Sequence, residues 1–338
     1  MATVRFLNAS ILLSFALVVA PGCGGSDDDG ALDVDGGDTE DEGLFTYLTE
    51  IGIPAIEDDV ATCCRDFGEI SRPNIEEDED QVDNAYAELV DALEEQGFQF
   101  QSVIDEQIEE GVLTLLGEHV DLDGDSGSFT LNALRGAFAE DTDGDSAAQG
   151  DGVFTIDDLS FGDDGEPRLS FAADLDNGEL EASADTVTLL LPVGDAALPF
   201  VTHDVEVQAS GTIEDGSASY EDGTFSGYFL VDETFEMFNE FLASDQCECL
   251  GLEDDDVFAQ EDGEWAPNAC QSEHACEDEG EGLCAVLAGD DIPDEICPFL
   301  PGELQDLADL NTGEADPAEY TGISVGFEWE SVPAQVAE

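Results

Sequence analysis

Apolar and polar positions recur with two different periods along this chain, and the change of period divides it. Up to residue 111 the spacing is helical. Leu44, Tyr47, Leu48 and Ile51 recur three or four residues apart, and Val82, Ala85, Leu89, Val90 and Leu93 form a stripe closed by Gly97. A shorter helix is expected over 102–110. From Val112 the period becomes two. Segments 112–120, 127–134, 153–156, 168–172, 179–182, 186–193, 201–213 and 223–231 read as strands, separated by turns such as Asp176-Asn177-Gly178 and Glu214-Asp215-Gly216. Val205-Glu206-Val207-Gln208-Ala209 shows one apolar and one polar face, as a half-buried antiparallel strand needs. Residues 232–243 (DETFEMFNEFLA) read as a helix with Phe235, Phe238, Phe241 and Leu242 on one face. Residues 320–332 alternate again, with Ile323, Val325, Phe327 and Trp329 on one side, and are expected to return to the main sheet.

The pattern predicts a mainly β chain of α+β type. Its parts are an α-helical N-terminal segment, an antiparallel β-meander curled into a sandwich or open barrel, and disulfide-rich C-terminal loops.

The first residues carry the address. Residues 11–20 (ILLSFALVVA) form an apolar run of ten after a short segment holding Arg5 and no acid, which suits a signal h-region and is too short to span a bilayer. Ala20-Pro21-Gly22-Cys23 follows, then Gly24-Gly25-Ser26. Small residues before a cysteine, directly after an h-region, resemble the lipobox of bacterial lipoproteins. That resemblance implies lipidation at Cys23, which would become the mature N-terminus. Gly24 after the cysteine, where Asp would hold a lipoprotein at the inner membrane, implies an outer-membrane or cell-surface location. The other reading is an ordinary secretory signal with a chance cysteine. The expected divisions are 1–22 signal peptide, 23–43 acidic flexible tether, 44–111 helical segment, 112–246 antiparallel β-domain, 247–319 Cys-rich loop region, and 320–338 returning strand and tail.

Charge narrows the partners. Asp and Glu total 86 against five Arg and no Lys. Such a chain cannot bind nucleic acid by neutralising phosphates, and anionic membrane surfaces repel it. Its self-repulsion weakens in salt. Acids covering the surface in a saline habitat are one reading, and capture of calcium or another cation is the other.

Besides Cys23 there are eight cysteines: Cys63, Cys64, Cys247, Cys249, Cys270, Cys276, Cys284 and Cys297. An even number in an exported chain reads as four disulfides. A ring between the neighbours Cys63 and Cys64 is strained, so each is expected to find a distant partner. Zinc on Cys247, Cys249, Cys270, His274 and Cys276 fits by residue type but lacks paired C-x-x-C spacing.

Signal, acidic tether, β-meander and Cys-x-Cys together resemble a large group of myxobacterial predicted lipoproteins. Residues 223–231 (GTFSGYFLV), the Phe-rich helix after them and Cys247-Glu-Cys249 carry the likeness. It covers roughly 110–251 and the final strand, and it implies architecture with no function attached.

Two acidic loops are the candidate chemistry. Asp121, Asp123 and Asp125, and again Asp141, Asp143 and Asp145, spell D-x-D-G-D-S, a spacing that lets carboxylates converge on calcium. Neither is an EF-hand, since Ser126 and Ser146 stand at the sixth position where Gly is required. Asp is so abundant here that acidic hairpin loops binding no specific ion are the competing reading.

Gly124-Asp125-Ser126-Gly127 mimics the tetrapeptide of trypsin-like proteases, yet only His119 precedes it and without that family's histidine motif. No catalytic motif is assigned. The expectation is a non-enzymatic binding or structural module, calcium-stabilised in one version and holding a hydrophobic ligand or a surface partner in another. A secreted hydrolase acting on glycans or esters is the alternative, and a calcium-stabilised adhesion or matrix protein is a third class.

Overall fold

The computed structural model describes residues 43–57, 60–71, 82–94, 100–139, 142–162, 164–193, 196–214, 216–242, 258–261, 264–267, 305–312 and 321–337. In chain order the early elements are β1 (Leu44–Gly52), β2 (Ile56–Glu57), β3 (Val60–Ala61), α1 (Ala85–Glu94) and α2 (Phe100–Glu109). Then follow β4 (Leu115–Val120), β5 (Gly127–Phe138), α3 (Gly144–Ala148), β6 (Val153–Ile156), β7 (Ser170–Asp176), β8 (Glu179–Val193), β9 (Ala196–Glu214) and β10 (Ser217–Leu230). The last are α4 (Val231–Leu242), β11 (Phe258–Glu261), β12 (Glu264–Pro267) and β13 (Gly322–Val336).

Eight of these strands close on themselves. The hydrogen-bonded circuit runs β1, β4, β5, β7, β8, β9, β10, β13 and back to β1, with every neighbour antiparallel. The expected sandwich or open barrel is therefore a closed barrel, in which no strand of the circuit is left as an edge. β6 lies outside the circuit, antiparallel to β5 and parallel to β13.

Closure depends on β1, and here the helical expectation fails. Residues 44–52 are a strand that buries both faces. Leu44 packs with the interior cluster, whereas Phe45, Tyr47 and Ile51 pack with the outer one. A bulge between Leu48 and Glu50 interrupts the alternation. Two buried faces and a bulge produce apolar spacing that imitates a helix. Among the described residues of the 44–111 segment, the α-helices are α1 and α2, which begin at Ala85 and Phe100.

The interior is filled by the chain's own side chains. Phe129 and Leu131 of β5, Phe171, Ala173 and Leu175 of β7, Leu180, Ala182 and Val187 of β8, Val205, Val207 and Ala209 of β9, and Ala218 and Tyr220 of β10 form one buried cluster. Strict alternation in β7 (SFAADLD) sends Phe171, Ala173 and Leu175 inward and leaves Asp174 and Asp176 in water. An eight-stranded barrel has room for such a core or for one small ligand, and in the described part the core takes the space. The β7–β8 turn is tight: Asn177 and Gly178 have φ of 55° and 87°, the left-handed pair a two-residue hairpin requires.

A second cluster coats part of the outer wall. Ile104 and Ile108, four apart on α2, join Tyr47, Leu116, Leu134, Ala147 and Phe154. The Tyr47 hydroxyl donates to the Ile108 carbonyl at 3.1 Å, tying the helix end to β1. Burial pushes that phenol up to about 12, so it remains a donor.

Elsewhere the wall is acidic. Asp174 stands opposite Glu181, and Asp176 opposite Glu179, all four exposed. Glu50 faces Glu330 across β1 and β13. Partial burial first, then Glu50, Glu221 and Asp222, raise the Glu330 carboxyl above its ordinary range. Like charges directly opposite destabilise a sheet, so this surface works against the fold in dilute salt.

Candidate functional site

The described residue pairs with most unusual chemistry converge where Cys63 and Cys64 meet β13. The two cysteines are bonded to each other, which corrects the expectation of distant partners. The segment is held close enough to β13 that a Cβ on Gly326 would come within 2.9 Å of Cys64 Sγ. The Cys64 sulfur lies 3.5 Å from the Phe327 carbonyl oxygen. Cys247, Cys249, Cys270, Cys276, Cys284 and Cys297 lie outside the described residues, as do Cys23 and His274.

Asn84 organises this clamp. Its Nδ2 donates to the Cys63 and Gly326 carbonyls, each at 3.1 Å, and its Oδ1 accepts the Ala87 N–H at 3.1 Å, as an N-cap of α1 does. The next N–H, of Ala85, is taken by Ser324 Oγ at 2.8 Å. Asp309 in turn accepts from both the Ser324 backbone, at 2.8 Å, and its hydroxyl. Arg65, next in sequence, bridges Asp204 at 3.0 Å and Glu206 at 3.2 Å on β9, and its guanidinium lies 4.6 Å from the centre of the Phe67 ring.

Two carboxyls here are displaced upward. Burial raises Asp83 from 3.8 to about 6, helped by the charges of Asp309 and Asp66 and opposed by the Phe67 N–H that it accepts at 2.8 Å. Burial also raises Asp309, against the two bonds from Ser324. The arrangement can store protons.

The acidic loops do not share a structure. Asp121, Asp123 and Asp125 lie in the exposed turn between β4 and β5, entered through Asp121 at φ 65°. Asp143 instead opens α3, where its carboxylate accepts the Ser146 N–H at 2.9 Å and Ser146 Oγ accepts the Asp143 N–H at 3.0 Å. These bonds hold the Asp143 carboxyl below its usual range. Asp145 is in the first turn of the same helix, and Asp141 lies outside the described residues. A helix-capping box explains the second D-x-D-G-D-S without an ion. Among the described residues no three His, Cys, Asp or Glu side chains are grouped to hold a metal.

His119 is not near a reactive serine. It is buried inside the barrel, stacked between Phe129 and Tyr220. His203 has a partner that sequence spacing could not reveal: its Nε2 lies 2.7 Å from Glu233 Oε2 at the start of α4, its ring stacks on Tyr228, and its Nδ1 is 3.4 Å from Thr186 Oγ1. Trp329 packs against Tyr220, and Trp265 stacks on Phe235 while its Nε1 donates to Asp232 at 2.6 Å. Both tryptophans are thus engaged in packing.

No protein-family model, no curated protein and no solved structure matches this chain.

Proposed function

We propose that this chain is a lipid-anchored protein of the cell envelope, exported by residues 1–22 and held at Cys23, whose barrel serves as a non-enzymatic binding or structural module. The observation that supports this reading best is the self-filled barrel closed by β1 and β13. With the described interior occupied by side chains, the surfaces left for function are outside, and an acidic tether suits the display of such a body away from lipid. Two or three acyl chains on Cys23 hold a protein on a membrane stably. The acid surface is read as charge adapted to salt, with no specific calcium site required.

The test is the mass of the N-terminal peptide from the membrane fraction of the producing cell. An acylated Cys23 is expected, with Cys23→Ala moving the chain to the soluble fraction. An unmodified, soluble wild-type chain would overturn the reading.

The hydrolase alternative has one observation in its favour. A histidine paired with a carboxylate is half of a general-base arrangement, and His203–Glu233 is such a pair. Hydrolysis of model esters or glycans that disappears in His203→Ala would establish it.

A further inference from the structure

The bond between Cys63 and Cys64 does little for stability in the usual way. The stabilisation that a disulfide draws from restraining the unfolded chain grows with the loop it closes, and adjacent residues close none. Its effect is therefore local, on the two residues and on what they touch. Opening it also frees no length of chain, so both sulfurs stay side by side and can bond again. Cys63 is buried and Cys64 half-buried, which leaves the Cys64 sulfur as the one a thiolate can approach.

What the pair touches is the attachment of α1. Gly326 is the floor on which the two meet: a Cβ there would lie 2.9 Å from Cys64 Sγ, 3.2 Å from Cys64 Cβ and 3.0 Å from Asn84 Nδ2. Asn84 Nδ2 holds the Cys63 and Gly326 carbonyls together, and Asn84 Oδ1 caps the helix. Once unbonded, two sulfurs must move apart to van der Waals contact. Close packing gives them little room, since Cys63 is buried and Cys64 has Gly326 and the Phe327 carbonyl against it. The displacement reaches Asn84 through the Cys63 carbonyl and the shared floor. β13 itself stays fixed by its ladders to β1 and β10.

We propose that Cys63–Cys64 is a redox-sensitive latch, opened by a dithiol, that sets how firmly the N-terminus of α1 is held on β13. One thiolate of the dithiol attacks Cys64 Sγ, forming a mixed disulfide and releasing Cys63 as a thiolate, which takes a proton from water. The second thiolate of the dithiol then attacks its own bound sulfur. Cys64 leaves as a thiolate and is protonated in turn, and the dithiol departs as a cyclic disulfide. Two electrons and two protons thus pass from the dithiol to the chain. The bonded form holds the helix as described, and the reduced form loosens it while the barrel circuit remains closed. The latch does not depend on where the chain resides.

The experiment treats the mature chain carrying Cys23→Ser with excess dithiothreitol, counts free thiols on the peptide holding residues 63 and 64 by alkylation, and reads amide hydrogen exchange over 85–94. A variant that also carries Cys63→Ser and Cys64→Ser keeps the six C-terminal cysteines, so its response to dithiothreitol measures their share. The pair is expected to take no label before reduction and two after it, with exchange over α1 rising roughly tenfold or more and exchange over β10 unchanged. The variant should exchange at the fast rate with or without reductant. Oxidised glutathione should return the reduced chain to slow exchange, a reversal that does not rely on the variant folding. Label on the pair before reduction, resistance to excess dithiothreitol, or two labels with α1 exchange unchanged would each overturn the proposal. Because Cys23 is replaced throughout, the outcome is separate from whether Cys23 is lipidated in the cell.

Discussion

The Tyr220 hydroxyl donates to His119 Nε2 at 2.9 Å across the inside of the barrel, joining β10 to β4, which are not neighbours in the circuit. The imidazole Nδ1 is 3.0 Å from the Leu44 carbonyl oxygen, which can only accept, so Nδ1 carries the proton and Nε2 is the acceptor. Burial holds the imidazole below its ordinary range and pushes the Tyr220 phenol up to about 12. Both groups are thus kept neutral, in the protonation states the bond needs.

Removing the donor alone is therefore expected to cost more than the bond is worth. Tyr220→Phe leaves a buried acceptor without a partner, and a loss of about 1–3 kcal/mol in urea unfolding is expected. The double variant with His119→Phe should recover part of that loss. A double-mutant cycle in which the two changes simply add would show that the pair is uncoupled.

The Asn84 clamp gives a second expectation. Asn84 is 2 % exposed and serves two carbonyls and one helix N–H. Asn84→Ala should lower stability by about 2–4 kcal/mol, the sum of a lost cap and unpaired buried carbonyls. Asn84→Asp keeps the cap acceptor but loses the two donors, and it adds charge beside Asp83 and Asp309. It should be no more stable than the alanine variant in thermal melts at neutral pH.

Asp83 makes stability depend on pH with a definite sign. Its folded value, about 6, lies above the unfolded one, so its protonated form is favoured by folding. The contribution is complete below about pH 4 and is lost as pH rises through 6. Asp309, displaced the same way, adds to it. His119, displaced downward, acts oppositely: its contribution is present above about pH 6.5 and is lost on acidification. Between pH 7 and 5 wild-type should gain stability on acidification relative to Asp83→Asn, as read by denaturant midpoints. Parallel curves for the two proteins would show that Asp83 is not the group responsible.

Much of the barrel could be read from alternation alone, because most strands bury one face and wet the other. The 153–156 strand matches β6 residue for residue, and the Asp176-Asn177-Gly178 turn sits where its left-handed pair requires. Residues 179–182 and 186–193 read as two strands because Ala184 and Asp185 break the pattern, yet they form the continuous β8. What could not be read was closure. It depends on residues 44–52, where burial on both faces and a bulge hide the period of two. The bonding of Cys63 to Cys64 was also hidden, since spacing alone argued against it. The partnerships His119–Tyr220 and His203–Glu233 span 101 and 30 residues, and no local pattern encodes contacts at such distance. The two D-x-D-G-D-S loops show the reverse case, in which one motif serves a turn at Asp121 and a helix cap at Asp143.

On the reading proposed above, salt rather than calcium balances the acidic shell of the barrel. Thermal melts of the oxidised mature chain in 0.1 M sodium chloride, in 1 M sodium chloride, and in 0.1 M sodium chloride with millimolar calcium test this most directly. Raising sodium chloride shortens the screening length from about 10 Å to about 3 Å, which relieves pairs such as Asp174–Glu181 and Glu50–Glu330. The expected result is a large upward shift in molar sodium chloride and little from calcium. A larger shift from millimolar calcium, reversed by EDTA and lost in Asp121→Asn with Asp123→Asn, would contradict the account and make the acidic loops binding sites.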